Sequence, residues 1–78
     1  MEKKISIHYW KFYEDKSLWS CWAYYRDNDS FNQYIKWLEE NMKGEYSTSP
    51  KFNSGNPMII TTISDETDAA LFKLTWVV

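Results

Sequence analysis

The stretch ISIHYWKFYEDKSLWSCWAYYR, Ile5 to Arg26, decides how this chain folds. Two runs rich in β-branched and aromatic residues, Ile5–Tyr13 and Leu18–Arg26, flank the polar tetrad Glu14-Asp15-Lys16-Ser17. Such runs favour extended backbone and the tetrad is turn material, so the segment predicts an antiparallel hairpin. Side chains alternate faces along a strand, and a slip of one residue exchanges the faces. The parity of the loop therefore sorts the rings. An odd loop puts Ile5, Ile7 and Tyr9 with Trp19, Cys21, Ala23 and Tyr25, and puts His8, Trp10 and Phe12 with Ser20, Trp22, Tyr24 and Arg26. An even loop brings His8 and Cys21 onto one face. The odd loop gathers Lys4, Ser6, His8, Ser20 and Arg26 on one side and leaves the other apolar, broken only by Lys11. It is the expected register, with Cys21 as a small buried apolar residue.

Beyond the hairpin, Asp27-Asn28-Asp29-Ser30 ends the strand and opens a helix. Ser30 and Gln33 fit a capping box, with Asp29 as the rival N-cap. Phe31, Tyr34, Ile35, Leu38 and Met42 recur at three- and four-residue spacing and form one apolar stripe. Gly44 stands where a left-handed C-terminal cap belongs. Asn53-Ser54-Gly55-Asn56 reads as a turn between a strong strand, Met58–Ile63, and a partner around Tyr46–Phe52. Pro50 confines that partner to a sheet edge, and a plain loop over residues 45–56 is the competing reading. A second helix is expected from about Asp65 to Thr75, with Asp65, Glu66 and Asp68 at its positive end and Ala69, Phe72 and Trp76 on one face. Val77 and Val78 close the chain. The expected fold is a single α+β domain over residues 1–78. It has two layers, an antiparallel sheet of three to four strands with two helices on one face, in the order ββα(β)βα.

The segment Asp68–Trp76 resembles a C-terminal signature, Asp-Ala-x-x-Phe-Lys-Leu-x-Trp, of small uncharacterised accessory proteins of tailed bacteriophages. The matching residues are Asp68, Ala69, Phe72, Lys73, Leu74 and Trp76, within the last quarter of the chain. Where that group commonly carries a glycine after the tryptophan, this chain has Val77. The resemblance implies a phage accessory product that acts on a host process or a host defence system, and it implies no catalytic residues. Physically the motif reads as packing, with Ala69 allowing close approach and Phe72 and Trp76 filling the gap.

Composition limits the remaining options. The chain has 78 residues, a formal net charge of −2, one cysteine and one histidine. It can form neither an internal disulfide nor a structural zinc site from these. Its charge is that of neither a strongly basic nucleic-acid binder nor an acidic DNA mimic. No apolar run approaches the ~18 residues of a membrane span, and the N-terminal stretch lacks the uncharged core of a signal peptide. An unpaired cysteine suits a reducing compartment. The expected location is cytoplasmic, the host cytoplasm for a phage product.

Few residues invite catalysis. His8 and Cys21 are the nucleophile–base candidates, and the odd register separates them. Glu39 and Glu40 sit on a solvated helix face. Asp27-Asn28-Asp29-Ser30 lacks the glycine and distal glutamate of a calcium loop. Gly44 and Gly55, the two glycines, build no phosphate loop. The reading is a non-enzyme without cofactor or metal. Fifteen of the 78 residues are Phe, Trp or Tyr, more than a small core demands, so rings are expected at an interface. The candidate binding residues are Trp10, Phe12, Trp22, Tyr24 and Arg26, on the sheet face away from the helices. These types dominate binding hot spots. A host protein ranks first as partner, a second core layer follows, and a homodimer is a further option. Single-stranded nucleic acid ranks last, because only Lys4, Lys11 and Arg26 stand near the face.

Overall fold

The computed structural model describes residues 5–77. Lys4 and Val78, which the sequence assigns to the polar sheet face and the chain end, lie outside the described residues. The elements follow the order β1 (Ile5–Tyr13), β2 (Leu18–Tyr25), α1 (Asn28–Asn41), β3 (Tyr46–Asn53), β4 (Asn56–Ile63) and α2 (Glu66–Phe72). A π-helical turn, Lys73–Val77, extends α2. The strands form one sheet in the order β1-β2-β4-β3, with antiparallel neighbours throughout. This is the small α+β fold expected, with the fourth strand present. Because β4 runs antiparallel to both β2 and β3, those two are parallel. Parallel strands need a long crossover, and α1 supplies it.

The β3–β4 ladder is regular from Tyr46 opposite Ile63 to Asn53 opposite Asn56. Its turn has two residues, Ser54 and Gly55, with φ of 53° and 82°. Paired positive φ values match the right-handed twist of a hairpin, and Gly55 adopts its value without steric cost. Counting from this turn, Pro50 falls at a non-hydrogen-bonded position, so its missing N–H is not needed by β4.

One layer of side chains joins sheet to helices. Ile5, Cys21, Ala23, Ile59 and Ile63 meet Tyr34 and Leu38 of α1 and Ala69 and Phe72 of α2, all buried. Rings fill the remainder. Tyr34 contacts Phe72 and Trp76 edge-on, and Trp37 does the same. Trp37 lies beside the expected stripe and is recruited because α2 packs alongside α1 and widens the covered face. The expected alignment of Ala69, Phe72 and Trp76 holds: the first two are buried and Trp76 packs against the core. Thr75 Oγ1 donates to the Leu71 carbonyl at 2.9 Å within the widened turn, a back-bond of the kind that loosens a helical ladder.

Two helix ends differ from expectation. Asp27, not Ser30 or Asp29, caps α1, accepting the Ser30 N–H on Oδ1 at 2.8 Å. The helix begins directly after β2, which moves Ser30 into the first turn, where it is buried. Gly44 is not left-handed; α1 ends at Met42 in an extended conformation. The glycine serves close approach instead. A Cβ there would lie 2.8 Å from Asp65 Cβ. The Lys43 and Gly44 N–H groups both donate to Asp68 Oδ2, at 2.9 and 2.8 Å. Asp68, first of the C-terminal signature residues, thus ties the end of α1 to the start of α2 while Asp65 Oδ1 accepts its own N–H.

The first hairpin departs most. Its loop, Glu14–Ser17, has four residues, an even number. Next to the turn Tyr13 faces Leu18, Phe12 faces Trp19 and Lys11 faces Ser20. At the far end Ile5 faces Tyr25, Ile7 faces Ala23 and His8 faces Trp22, the register of an odd loop. A bulge reconciles the two by setting Tyr9 and Trp10 against one residue of β2. Tyr9 takes the left-handed conformation, φ 59°, that glycine usually fills. A non-glycine residue there costs of order ~1–3 kcal/mol. The offset is Trp10, which turns toward the helices and stacks on Phe72 with centroids 5.6 Å apart and planes 9° from parallel. Burying half of a ring of ~200 Å² at ~25 cal/mol per Å² contributes ~2.5 kcal/mol, enough to match the strain.

Candidate functional site

The bulge re-sorts the candidate residues. Trp10 and Phe12 do not stand on the open face. Trp10 is part of the core layer, and Phe12 packs on Trp19 at 4.6 Å on the helix side, at the sheet edge. The physical reason is the even turn, which inverts the expected parity for every residue between the bulge and the loop. Trp22 and Tyr24, beyond the bulge on β2, keep the expected open-face position. Arg26, just past β2, lines a cleft with Ser6, Tyr24 and Asn56 at the sheet end.

Tyr9, Lys11 and Tyr13 take the vacated places. Tyr9 is 70% exposed and meets Trp22 edge-on at 4.7 Å. Lys11 Nζ lies 5.0 Å from the Tyr13 ring centroid. With Trp10 and Ser20, these residues line a shallow hollow. His8 packs edge-on against Tyr24 at 5.4 Å and shares a hydrogen bond with Ser6 at 3.0 Å. The Tyr24 hydroxyl accepts from Asn53 Nδ2 at 2.8 Å, spanning β4. No composition signal reveals Tyr9 and Tyr13 as surface rings. The even count of the turn was the available sign for Tyr13, and the bulge had none.

The ladder pairings order the open face into rows across the sheet. One row holds Lys11, Ser20, Thr62 and Ser47; the next His8, Trp22, Ile60 and Ser49; the next Ser6, Tyr24, Met58 and Lys51. Lys11 on one edge strand and Lys51 on the other thus lie on a diagonal through Trp22 and Ile60. Among the described residues, no strand position on this face carries a carboxylate. Glu14 and Asp15 stand in the β1–β2 turn and Glu45 just before β3, all at one end. Arg26 and Lys51 lie toward the other end.

His8 and Cys21 are on opposite faces. Cys21 is 1% exposed, and burial pushes its thiol up to about 12, a bond with Tyr34 opposing the rise. The Tyr34 hydroxyl, 2.6 Å from Thr61 Oγ1, is likewise pushed up by burial. These three form a closed polar knot in the core. Among the described residues, no three His, Cys, Asp or Glu side chains gather as a metal site, and no helix is long and apolar enough to cross a membrane. No family model matches the chain, and no curated protein or solved structure matches it.

Proposed function

We propose that this chain is a non-catalytic accessory protein that works by binding a host-cell macromolecule through its open sheet face. One observation carries the reading: Tyr9, in a strained backbone position, is 70% exposed beside Trp22, on a face that neither helix covers. Strained residues cluster at working surfaces, and aromatic residues on such surfaces dominate binding energy. The C-terminal resemblance to phage accessory proteins supports a host target and an effect of inhibition or modulation by occlusion, a host defence component being one such target. The mechanism needs no cofactor and no metal.

A host protein is the partner that the hot-spot character of Tyr9, Trp22 and Tyr24 supports. A second reading, single-stranded nucleic acid, is supported by the charge pattern: Lys11 and Lys51 flank the rings and, among the described residues, no strand position there is acidic. Transfer of Trp10 and Phe12 to the helix side makes the face more polar, which favours the second reading. The contact surface itself is tested by capture from bacterial lysate. A Tyr9→Ser/Trp22→Ala variant should lose the partner retained by the wild type, while Leu74→Ser, on the helix layer, should keep it. A folded face variant that retains the same partner refutes the assignment.

A further inference from the structure

We infer that the occupant of the open face is single-stranded nucleic acid, an inference that rests on the face being the contact surface. Three features converge. Trp22, Tyr24 and Tyr9 offer rings on adjacent rows of an antiparallel sheet, and bases stack on such rings whatever their sequence. Lys11 and Lys51 sit on the two edge strands, diagonally across Trp22, where a strand crossing the sheet brings phosphates past both. Ser20 and Ser49 stand beside that diagonal with hydroxyls that suit phosphate or sugar oxygens.

Charge complementarity separates this partner from a neutral protein surface. The net charge of −2 is unevenly distributed. Acidic residues populate α1, α2, the loops and the β1–β2 turn, whereas, among the described residues, the strand positions of the open face carry lysine alone of the charged types, His8 aside. Lys36 and Lys73 of the helix layer stand among carboxylates, so a polyanion is favoured on the open face. Glu14, Asp15 and Glu45 at the turn end set a boundary, so the path runs from Lys11 toward Lys51 and the Arg26 cleft. A double helix cannot offer its base faces to Trp22, so the preference is for a single strand.

The test is fluorescence anisotropy of a fluorescein-labelled oligo(dT) of about twenty nucleotides, with the corresponding duplex in parallel. Binding of the single strand should weaken from about 50 to about 200 mM salt, with a log–log slope of about −1.4 for two phosphate contacts. Lys11→Gln and Lys51→Gln should each reduce the slope by about 0.7, and Lys36→Gln on α1 should leave it unchanged. Trp22→Ala should weaken binding at least about five-fold with the melting transition retained, and the exposed Tyr9→Ser provides a second variant that leaves the core untouched. No binding at the lower salt, equal affinity for the duplex, or unaltered binding by both ring variants overturns the inference. If oligo(dT) fails to bind while the face variant still loses a captured host protein, the face stands and the nucleic-acid assignment falls. If oligo(dT) binds the wild type and the face variants alike, the nucleic-acid assignment falls, and the face falls with it only when the face variant also retains the captured partner.

Discussion

Tyr34→Phe is the sharpest probe of the core. The ring stays, with its contacts to Phe72 and Trp76, and only the hydroxyl is removed. That hydroxyl is 2.6 Å from Thr61 Oγ1, between residues 0% and 1% exposed, and it also bonds Cys21. Its loss forfeits a net bond of about 1 kcal/mol and leaves Thr61 buried without a partner, for a total of about 2 kcal/mol. In a domain of this size that lowers the melting temperature by roughly 8–16 °C. Thr61→Val should cost about 1–2 kcal/mol, because Tyr34 keeps only the weak sulfur partner. The double variant Tyr34→Phe/Thr61→Val removes both polar groups at nearly constant shape and should cost less than about 1 kcal/mol. Urea titration followed by tryptophan fluorescence measures all four proteins. Additive costs in the double variant would refute the argument that the unpaired group, rather than lost packing, sets the penalty.

Alkaline pH should destabilise the fold through the same knot. The Cys21 thiol ionises near 9.0 when unfolded and near 12 when folded, so the unfolded state releases its proton first and stability falls as pH rises between these values. The Cys21 contribution to that loss is about 2 kcal/mol by pH ~10.5, and a melting series should show a shallower decline for Cys21→Ala. A thiol reagent at neutral pH should label Cys21 only on unfolding; rapid labelling of the folded chain would contradict its burial. Gly44→Ala should cost about 1–3 kcal/mol, since its Cβ would meet Asp65 Cβ at 2.8 Å. Tyr9→Gly relieves the left-handed strain at the expense of the Trp22 contact, so stability should change by less than about 1 kcal/mol while oligo(dT) affinity falls; a fall in stability of several kcal/mol would mean that Tyr9 serves the fold alone.

Much of the architecture was legible because local chemistry and final structure agree. The apolar stripe of α1, the turn at Ser54-Gly55 and the acidic start of α2 each have a cause within a few residues, and each stands where the pattern puts it. Trp22 and Tyr24 were legible for the same reason, as alternation along β2 is uninterrupted. Gly44 and Ser30 misled because their residue types suit caps, whereas their roles arise from segments that approach in space: Asp65 and Asp68 at one, the early start of α1 at the other.

Periodicity and turn chemistry, which act over short spans, specify the class of fold and the two helices. The second hairpin competes there with a loop over residues 45–56, and the core position of Cys21 follows from an odd loop where the structure has an even one. The tertiary structure set which rings of β1 face outward at the bulge. That choice turns on one extra residue in β1, and no local preference favours a left-handed tyrosine. At the bulge Trp10 turns to the core side and stacks on Phe72, more than sixty positions later in the chain. A contact at that sequence distance leaves no local signal, and with it Tyr9 takes the place of Trp10 on the open face.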